Sequence, residues 1–461
     1  MLKENEQFEL FENGTKIFFI GIGGVSMSSV ALALKAKGCR VSGYDSTPSE
    51  LTDMLTQRGV HVSYEYDPSD FDGVDAVVYT NAIKESDPVF IRPVSLGIPR
   101  FTRAQALGYL MKGYPNAIGV AGTHGKSTTT GMISQIFIAA DRDPAIFAGA
   151  ALPLIGGNYR LADSKDFIFE ACEYKDSFLS FFPTVAVVLN VGFDHADYFR
   201  DLDDVIDSFN RYLMLAQDNG CAVINADDPG AVRAALGYKG SLVTFSRKDP
   251  SADFFASGIT DDKGFYSFDL IHKGKKLVRV KLGVPGIFNV SNALAAAAAS
   301  LICGVEPEAV GVGLNSFSGM KRRFEIRGRM GDAVVADDYA HHPDEIRATL
   351  SAARDMGFER ITVIFQSHTF SRTKACWDDI VSAFENGCDE VIYDDIYPAR
   401  ERPIEGVDAE RLALCTKNGS YQGGRDGIVA YLKKKKPGGL IIVMGAGDIV
   451  ELTPRLLEEG K

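Results

Sequence analysis

Positive charge is in short supply: 49 lysines and arginines stand against 61 aspartates and glutamates, a formal net charge of −12. Such an excess repels phosphate backbones and anionic lipid, so neither nucleic acid nor a membrane surface is expected as a partner. The chain also lacks any apolar run approaching about 18 residues, and residues 1–11 are polar and acidic rather than signal-like. A cytoplasmic location is expected. Its seven cysteines, at positions 39, 172, 221, 303, 376, 388 and 415, never fall in a CxxC spacing. That excludes a disulfide framework and a zinc cluster and leaves buried thiols. Internal repeats and low-complexity segments are missing too, and the one charge run, Lys433 to Lys436, reads as a solvated turn before Pro437. What is present is a globular composition, 46% hydrophobic and 24% charged, spread over 461 residues. That length exceeds one core and suggests three domains.

The stretch around which the rest is arranged runs from Ala117 to Thr130, AIGVAGTHGKSTTT. An apolar strand, Ala117 to Ala121, leads through Gly122-Thr123-His124-Gly125 into a helical pattern from Lys126 to Ala140. A loop so placed points backbone N–H groups at the open end of a helix, where the dipole favours anions. Gly122 and Gly125 allow close approach to phosphate oxygens, Lys126 supplies a point charge, and the Ser127 hydroxyl suits Mg2+. The Walker A pattern has a glycine where this chain has Val120, so the loop is a tighter variant.

Upstream, Lys16 to Ile20 is a strand running into Gly21-Ile-Gly23-Gly24-Val-Ser26, followed by a helix and a second strand that ends at Asp45. This is a Rossmann-type opening in which Ser26 replaces the third fingerprint glycine. A dinucleotide, another nucleotide-like ligand or a bare structural turn all fit it. Strands at Ala76 to Thr80, leading to Asn81, and at Ile98 to Arg103 follow, and strand ends are where open α/β sheets bind ligands. Downstream of the loop, Asp166 to Ala171 and Thr184 to Asn190 read as doubly covered strands. They deliver Glu170 and Glu173, then Asn190 with Asp194-His195. Phe265 to Gly283 reads as a hairpin, Asn289 to Leu301 as a helix, and strands near residues 333, 361, 390 and 440 as a second doubly wound sheet.

Of seven histidines, five stand at strand ends: His124, His195, His341, His342 and His368. Asp337-Asp338-Tyr339-Ala-His341-His342-Pro343 stops at a helix-starting proline. Gln366-Ser-His368-Thr-Phe-Ser-Arg372-Thr373 places an arginine suited to bidentate carboxylate binding on the same rim.

These motifs, with Glu170-Ala-Cys-Glu173, Asn289-Val-Ser-Asn292-Ala-Leu294, Arg322-Arg-Phe-Glu325, Asp395 to Arg400 and Gly445-Ala-Gly-Asp448, resemble the Mur ligase family in order and over nearly the whole chain. The resemblance implies a three-domain α/β enzyme. Residues 1–112 would be a Rossmann-like domain holding the UDP sugar, 113–322 a central P-loop ATPase-type domain, and 323–461 a C-terminal Rossmann-like doubly wound domain bringing the amino acid. It implies joining L-alanine to the lactyl carboxylate of UDP-N-acetylmuramate through an acyl phosphate, with ATP and Mg2+, by a monomer or weak homodimer. The relative that adds a recycled murein tripeptide is the alternative within the family; a nicotinamide-dependent dehydrogenase using Gly21 to Asp45, or a non-catalytic ATP-gated sensor, lies outside it.

Residue by residue, the resemblance assigns the nucleotide to Gly122, Thr123, His124, Gly125, Lys126, Ser127, Thr128, Asn289, Asn292, Arg323 and Asp338. It assigns metal to Ser127, Glu170 and His195, and catalysis to Lys126, Asn190, His195, Arg323 and His341. Substrate contacts fall to Gly21, Gly23, Gly24, Ser26, Asp45, Thr80, Asn81, Arg103, Glu173, Tyr339, His341, His368 and Arg372. The chain departs from its relatives at Phe288, where histidine is frequent, at Cys172, where aspartate is, and at Gly192-Phe193, where Glu-Ala is.

Overall fold

Three runs of strand and helix build three sheets in the computed structural model, which describes residues 9–80, 83–162, 164–195, 198–216, 218, 220–399 and 401–458. The first sheet holds β1 (Lys16–Ile20), β2 (Arg40–Tyr44), β3 (His61–Ser63), β4 (Ala76–Tyr79) and β5 (Arg100–Thr102) in the order β3-β2-β1-β4-β5, all parallel. Helix α1 (Val25–Ala36) follows β1, and α2 (Arg103–Met111) follows β5. The strand expected over Ile98 to Arg103 is shorter than its pattern. Thr102 and Gln105 form a reciprocal capping box, so Arg103 opens a helix instead of closing a strand.

The central sheet has ten strands: β6 (Asn116–Ala121), β7 (Ala145–Leu152), β8 (Gly157–Arg160), β9 (Asp166–Glu170), β10 (Val185–Val188), β11 (Cys221–Asn225), β12 (Ser241–Ser246), β13 (Phe254–Asp262), β14 (Phe265–His272) and β15 (Lys275–Pro285). Their order is β15-β14-β13-β12-β11-β10-β6-β9-β7-β8. β6 lies in the middle, flanked by β10 and β9 in parallel, while β13, β14 and β15 extend one side as an antiparallel meander. Helices α3 (Lys126–Ala139) and α4 (Phe288–Ile302) pack together beside it. The fully buried alanine face of α4, Ala293 to Ala299, permits that close approach.

The third sheet orders β16 (Glu325–Met330), β17 (Ala333–Asp338), β18 (Ile361–His368), β19 (Glu390–Tyr397), β20 (Gly419–Tyr421) and β21 (Gly439–Met444) as β16-β17-β21-β18-β19-β20. Only the β16 edge is antiparallel. Helix α5 (Pro343–Asp355) follows β17, and α6 (Phe370–Ala375) follows β18. Lys433, Lys434 and Lys435 form the last turn of a helix, correcting the turn expected there; cations at that end complement the helix dipole.

The apolar core under the first sheet is continuous with one side of the central sheet, joining Leu107 and Phe101 to Phe167, Phe178 and Tyr212 in one cluster. All seven cysteines are free. Among the described residues, no helix is long and apolar enough to cross a membrane.

Candidate active site

The phosphate loop is held from behind by its neighbour strand. Thr123 Oγ1 accepts from the Gly192 N–H at 2.8 Å, and the Asn190 amide grips both sides of His124, accepting from its N–H at 2.8 Å and donating to its carbonyl at 3.1 Å. Asn190 is thereby spent on shaping the loop. Gly125 takes φ +83°, and a Cβ there would lie 2.7 Å from Asn292 Oδ1, so glycine is required on both counts. Helix α3 begins at Lys126, leaving its first-turn N–H groups without intrahelical partners.

Lys126 turns back on its own loop. Its Nζ donates to the Gly122 carbonyl at 2.6 Å and lies 3.0 Å from Glu173 Oε2. Burial opposes the charge, but Glu173, Cys172 and Glu170 outweigh it and hold the ammonium well above its ordinary range. Burial and the same glutamate push the Cys172 thiol up to about 11, so it stays protonated. The three expected metal ligands fall into two groups. Ser127 Oγ donates to Glu170 Oε2 at 2.7 Å, whereas His195 Nε2 sits 3.8 Å from Glu173 Oε1. His195 adopts φ +57° with its ring 4.6 Å from Tyr174. Burial lowers its pKa despite Asp194 and Glu173 beside it, which keeps the imidazole neutral and able to ligate. Arg372, expected on one rim with His368, donates to Asp194 Oδ1.

A cavity of about 310 Å³ opens between the central and third sheets, lined by His124, Gly125, Thr128, Asn289, Asn292, Arg323 and Asp338. Phe245, Val284, Pro285 and Phe288 give it apolar walls suited to a flat heterocycle. Asn289 donates to the Pro285 carbonyl at 2.7 Å and accepts from Asn292 at 2.9 Å, so the two asparagines form one pair. Asp338 accepts from the N–H groups of Phe324 (2.8 Å) and Ala340 (2.7 Å); burial raises its pKa to about 6 against the pull of Arg323. Tyr339 is flanked by the guanidinium groups of Arg322 and Arg323 at 4.9 and 5.1 Å.

His341 and His368 meet edge to face at 6.0 Å, and burial lowers the His341 pKa to about 4, so its imidazole is neutral. At the centre stands Glu345, a residue the sequence reading passed over. Its carboxylate lies 3.5 Å from His124 Nδ1, 3.6 Å from Arg323 Nη1 and 3.3 Å from His341 Nδ1. Burial disfavours its charge, yet His341, His124 and Arg323 more than offset this and hold the carboxyl well below the usual range. A glutamate three residues beyond the helix-capping His342 is the capping-box signal that could have found it. Asp194 was likewise missed as a partner. Burial raises its pKa, but Arg372 and His195 bring the net shift down.

In the first sheet, Gly21 takes φ +79° against Thr80, and Asp45 Oδ2 accepts from the Gly23 N–H at 2.8 Å, bracing the glycine turn. Gly24 caps α1 and Ser26 lies in its first turn. Asn81 lies outside the described residues. Ser26 and Arg103 line a second cavity of about 70 Å³, closed on the far side by Gly149, Glu170 and Cys172. Glu170 therefore stands where this cavity meets the phosphate loop.

The acceptor geometry around Ser127 and Glu170 fits a hard divalent cation: a hydroxyl and a carboxylate oxygen in contact at a helix start, with Gly149 leaving room that a Cβ, 2.5 Å from Glu170 Oε2, would fill.

Sequence profiles of three domains match in turn: Mur ligase family, catalytic domain, over residues 16–115; Mur ligase middle domain, over 120–300; and Mur ligase, glutamate ligase domain, over 322–447. The chain is similar to a UDP-N-acetylmuramate--L-alanine ligase of Acetivibrio thermocellus, 42% identical over 96% of each chain. Among solved structures it is similar to the UDP-N-acetylmuramate-alanine ligase of Thermotoga maritima, with a TM-score of 0.77 and 26% identity over 96% of this chain and 98% of that one. The murein peptide ligase of Psychrobacter arcticus matches with a TM-score of 0.73 and 25% identity over 97% and 99%.

Proposed function

The chain belongs to the Mur ligase family, and from that premise we propose how its residues divide the work of an ADP-forming ligase that joins L-alanine to UDP-N-acetylmuramate. The position of Glu170, between the cavity of Ser26 and Arg103 and the loop of Lys126, carries the reading. A carboxylate does not condense with an amine at neutral pH, so the γ-phosphoryl group of ATP passes first to the lactyl carboxylate. In this reading the UDP sugar lies on the glycine turn of the first sheet, and Arg103 draws its carboxylate toward Glu170. ATP occupies the larger cavity, its base between the Asn289–Asn292 pair and Phe288 and its phosphates on residues 122–128. Lys126 leaves Glu173 to meet the transferring phosphate.

Mg2+ would be held by Ser127 and Glu170, with a second ion at His195 beside Glu173, supplying charge neutralisation for phosphoryl transfer. Arg323 contributes a third-sheet cation to the nucleotide, and Arg372 leaves Asp194 to take the carboxylate of alanine. His341, neutral, accepts a hydrogen bond and then the proton from the amine as its nitrogen attacks the acyl carbon, and inorganic phosphate leaves with the electron pair of the broken C–O bond. Closure of the sheets excludes water, whose attack would destroy that intermediate. The product is the first amino-acid adduct of peptidoglycan precursor synthesis. Both joined substrates are water-soluble small molecules, in keeping with a cytoplasmic reaction.

Phosphate release measured with ATP, UDP-N-acetylmuramate and either L-alanine or the murein tripeptide tests the assignment. Turnover with alanine, dependent on the UDP sugar and indifferent to NAD, is the expected result. Turnover with the tripeptide alone would move the chain to the recycling branch.

A further inference from the structure

One group of side chains beside the nucleotide cavity, which His124 and Asp344 help to line, forms a cluster whose arrangement that chemistry does not use. His124 comes from the phosphate loop, whereas His342 and Asp344 come from the start of α5 in the third domain. One nitrogen of each imidazole and one oxygen of the carboxylate lie within 4.8 Å of one another, and the two rings face each other at 5.2 Å.

We propose that His124, His342 and Asp344 form a transition-metal site that ties the phosphate loop to the third domain. Two imidazoles and one carboxylate select Zn2+, Co2+ or Ni2+ over the oxygen-seeking Mg2+. The surroundings are those of a ligating set. Glu345 Oε1 stands 3.5 Å from His124 Nδ1, so a carboxylate lies beside that ring. Arg347 holds Asp344 Oδ1 at 2.8 Å, turning Oδ2 toward His342 Nδ1 at 3.8 Å. The Asp344 side chain is 62% exposed, which gives an ion a path from solvent. His124 and Asp344 also line the nucleotide cavity, so the cluster borders it. An ion there bridges the phosphate loop and the start of α5.

Co2+ alone, titrated into the full chain at saturating Mg2+, provides the test through its visible absorption. One equivalent is expected to bind with the intensified band of a low-coordinate ion. Asp344→Asn and His342→Gln should each weaken binding at least tenfold, while Glu170→Gln leaves it unchanged. Circular dichroism establishes that each variant is folded; should His342→Gln lose its helix cap and unfold, the exposed Asp344 carries the test. Unaltered Co2+ affinity in Asp344→Asn, or loss of binding in Glu170→Gln, overturns the proposal, the second outcome placing the ion at the Ser127–Glu170 pair.

Discussion

Arg372 reaches across the cleft to Asp194, its Nε and Nη2 donating to a single carboxylate oxygen at 3.3 and 3.2 Å. A free amino acid would offer the guanidinium two oxygens, and so competes with Asp194 for the same fork. Arg372→Lys is expected to raise the Michaelis constant for alanine at least tenfold and leave that for ATP nearly unchanged, since lysine keeps charge and loses the fork. Asp194→Asn, which withdraws the competitor, should lower the constant for alanine. Steady-state kinetics of both variants decide; a rise in both would mean that the pair itself builds the site.

Lys126 and Glu173 form a buried pair, with side-chain exposures of 14% and 3%. Lys126→Met leaves a carboxylate without its cation, and denaturant unfolding is expected to show a loss of about 3 kcal/mol. Adding Glu173→Gln should recover most of that stability. Turnover should recover in neither variant, staying down by about 10³-fold or more because the transferring phosphate has lost its point charge. Recovery of activity in the double variant would assign Lys126 a structural role only.

Space around Glu170 is expected to set the magnesium requirement. Glu170→Gln would take the negative charge and Ser127→Ala the hydroxyl from the proposed magnesium site, and Gly149→Ala intrudes on the same carboxylate. All three should shift the midpoint of a Mg2+ titration upward, with Gly149→Ala the smallest effect. A midpoint unmoved in Glu170→Gln would take this residue out of the metal site.

Asp338 should leave a signature in the pH dependence of stability. Its carboxyl is raised from an ordinary 3.8 to about 6, mainly by burial. A raised acid contributes stability that is fully present below the unfolded value and is lost as pH rises through the folded one. Wild type should therefore weaken relative to Asp338→Asn between about pH 4 and 6, by at most about 3 kcal/mol, and run parallel to it above pH 7. Thermal melts across that range provide the comparison. A constant difference across the whole range would mean that Asp338 titrates normally.

How much of this was legible depended on distance along the chain. The strand, glycine turn and helix from Ala117 onward could be read because apolar pattern, positive-φ glycine and helix start are all local. The three sheets followed from the same alternation. The meander of β13 and its neighbours was read only in part, because β13 alternates buried and half-buried positions at one end and becomes exposed at the other. Arg372 was assigned to a rim because its motif follows a strand, and strand ends are where open α/β sheets bind ligands. Its partner lies 178 positions away, and pairing at that range comes from domain packing, which no local pattern encodes. Glu345 shows the intermediate case: its capping-box position is local, but its contacts with His124 and Arg323 are not.

Glu345 also has a thermodynamic consequence. One carboxylate is shared by His124 on the phosphate loop, Arg323 on the larger cavity and His341, to which the proposed function gives the amino acid. Whatever ATP does to the first two changes the charge felt by the third. The coupling must run equally in both directions, so the factor by which nucleotide alters affinity for alanine is the factor by which alanine alters affinity for nucleotide. Glu345→Gln is expected to weaken that coupling, read as a smaller change in the affinity for either ligand when the other is bound.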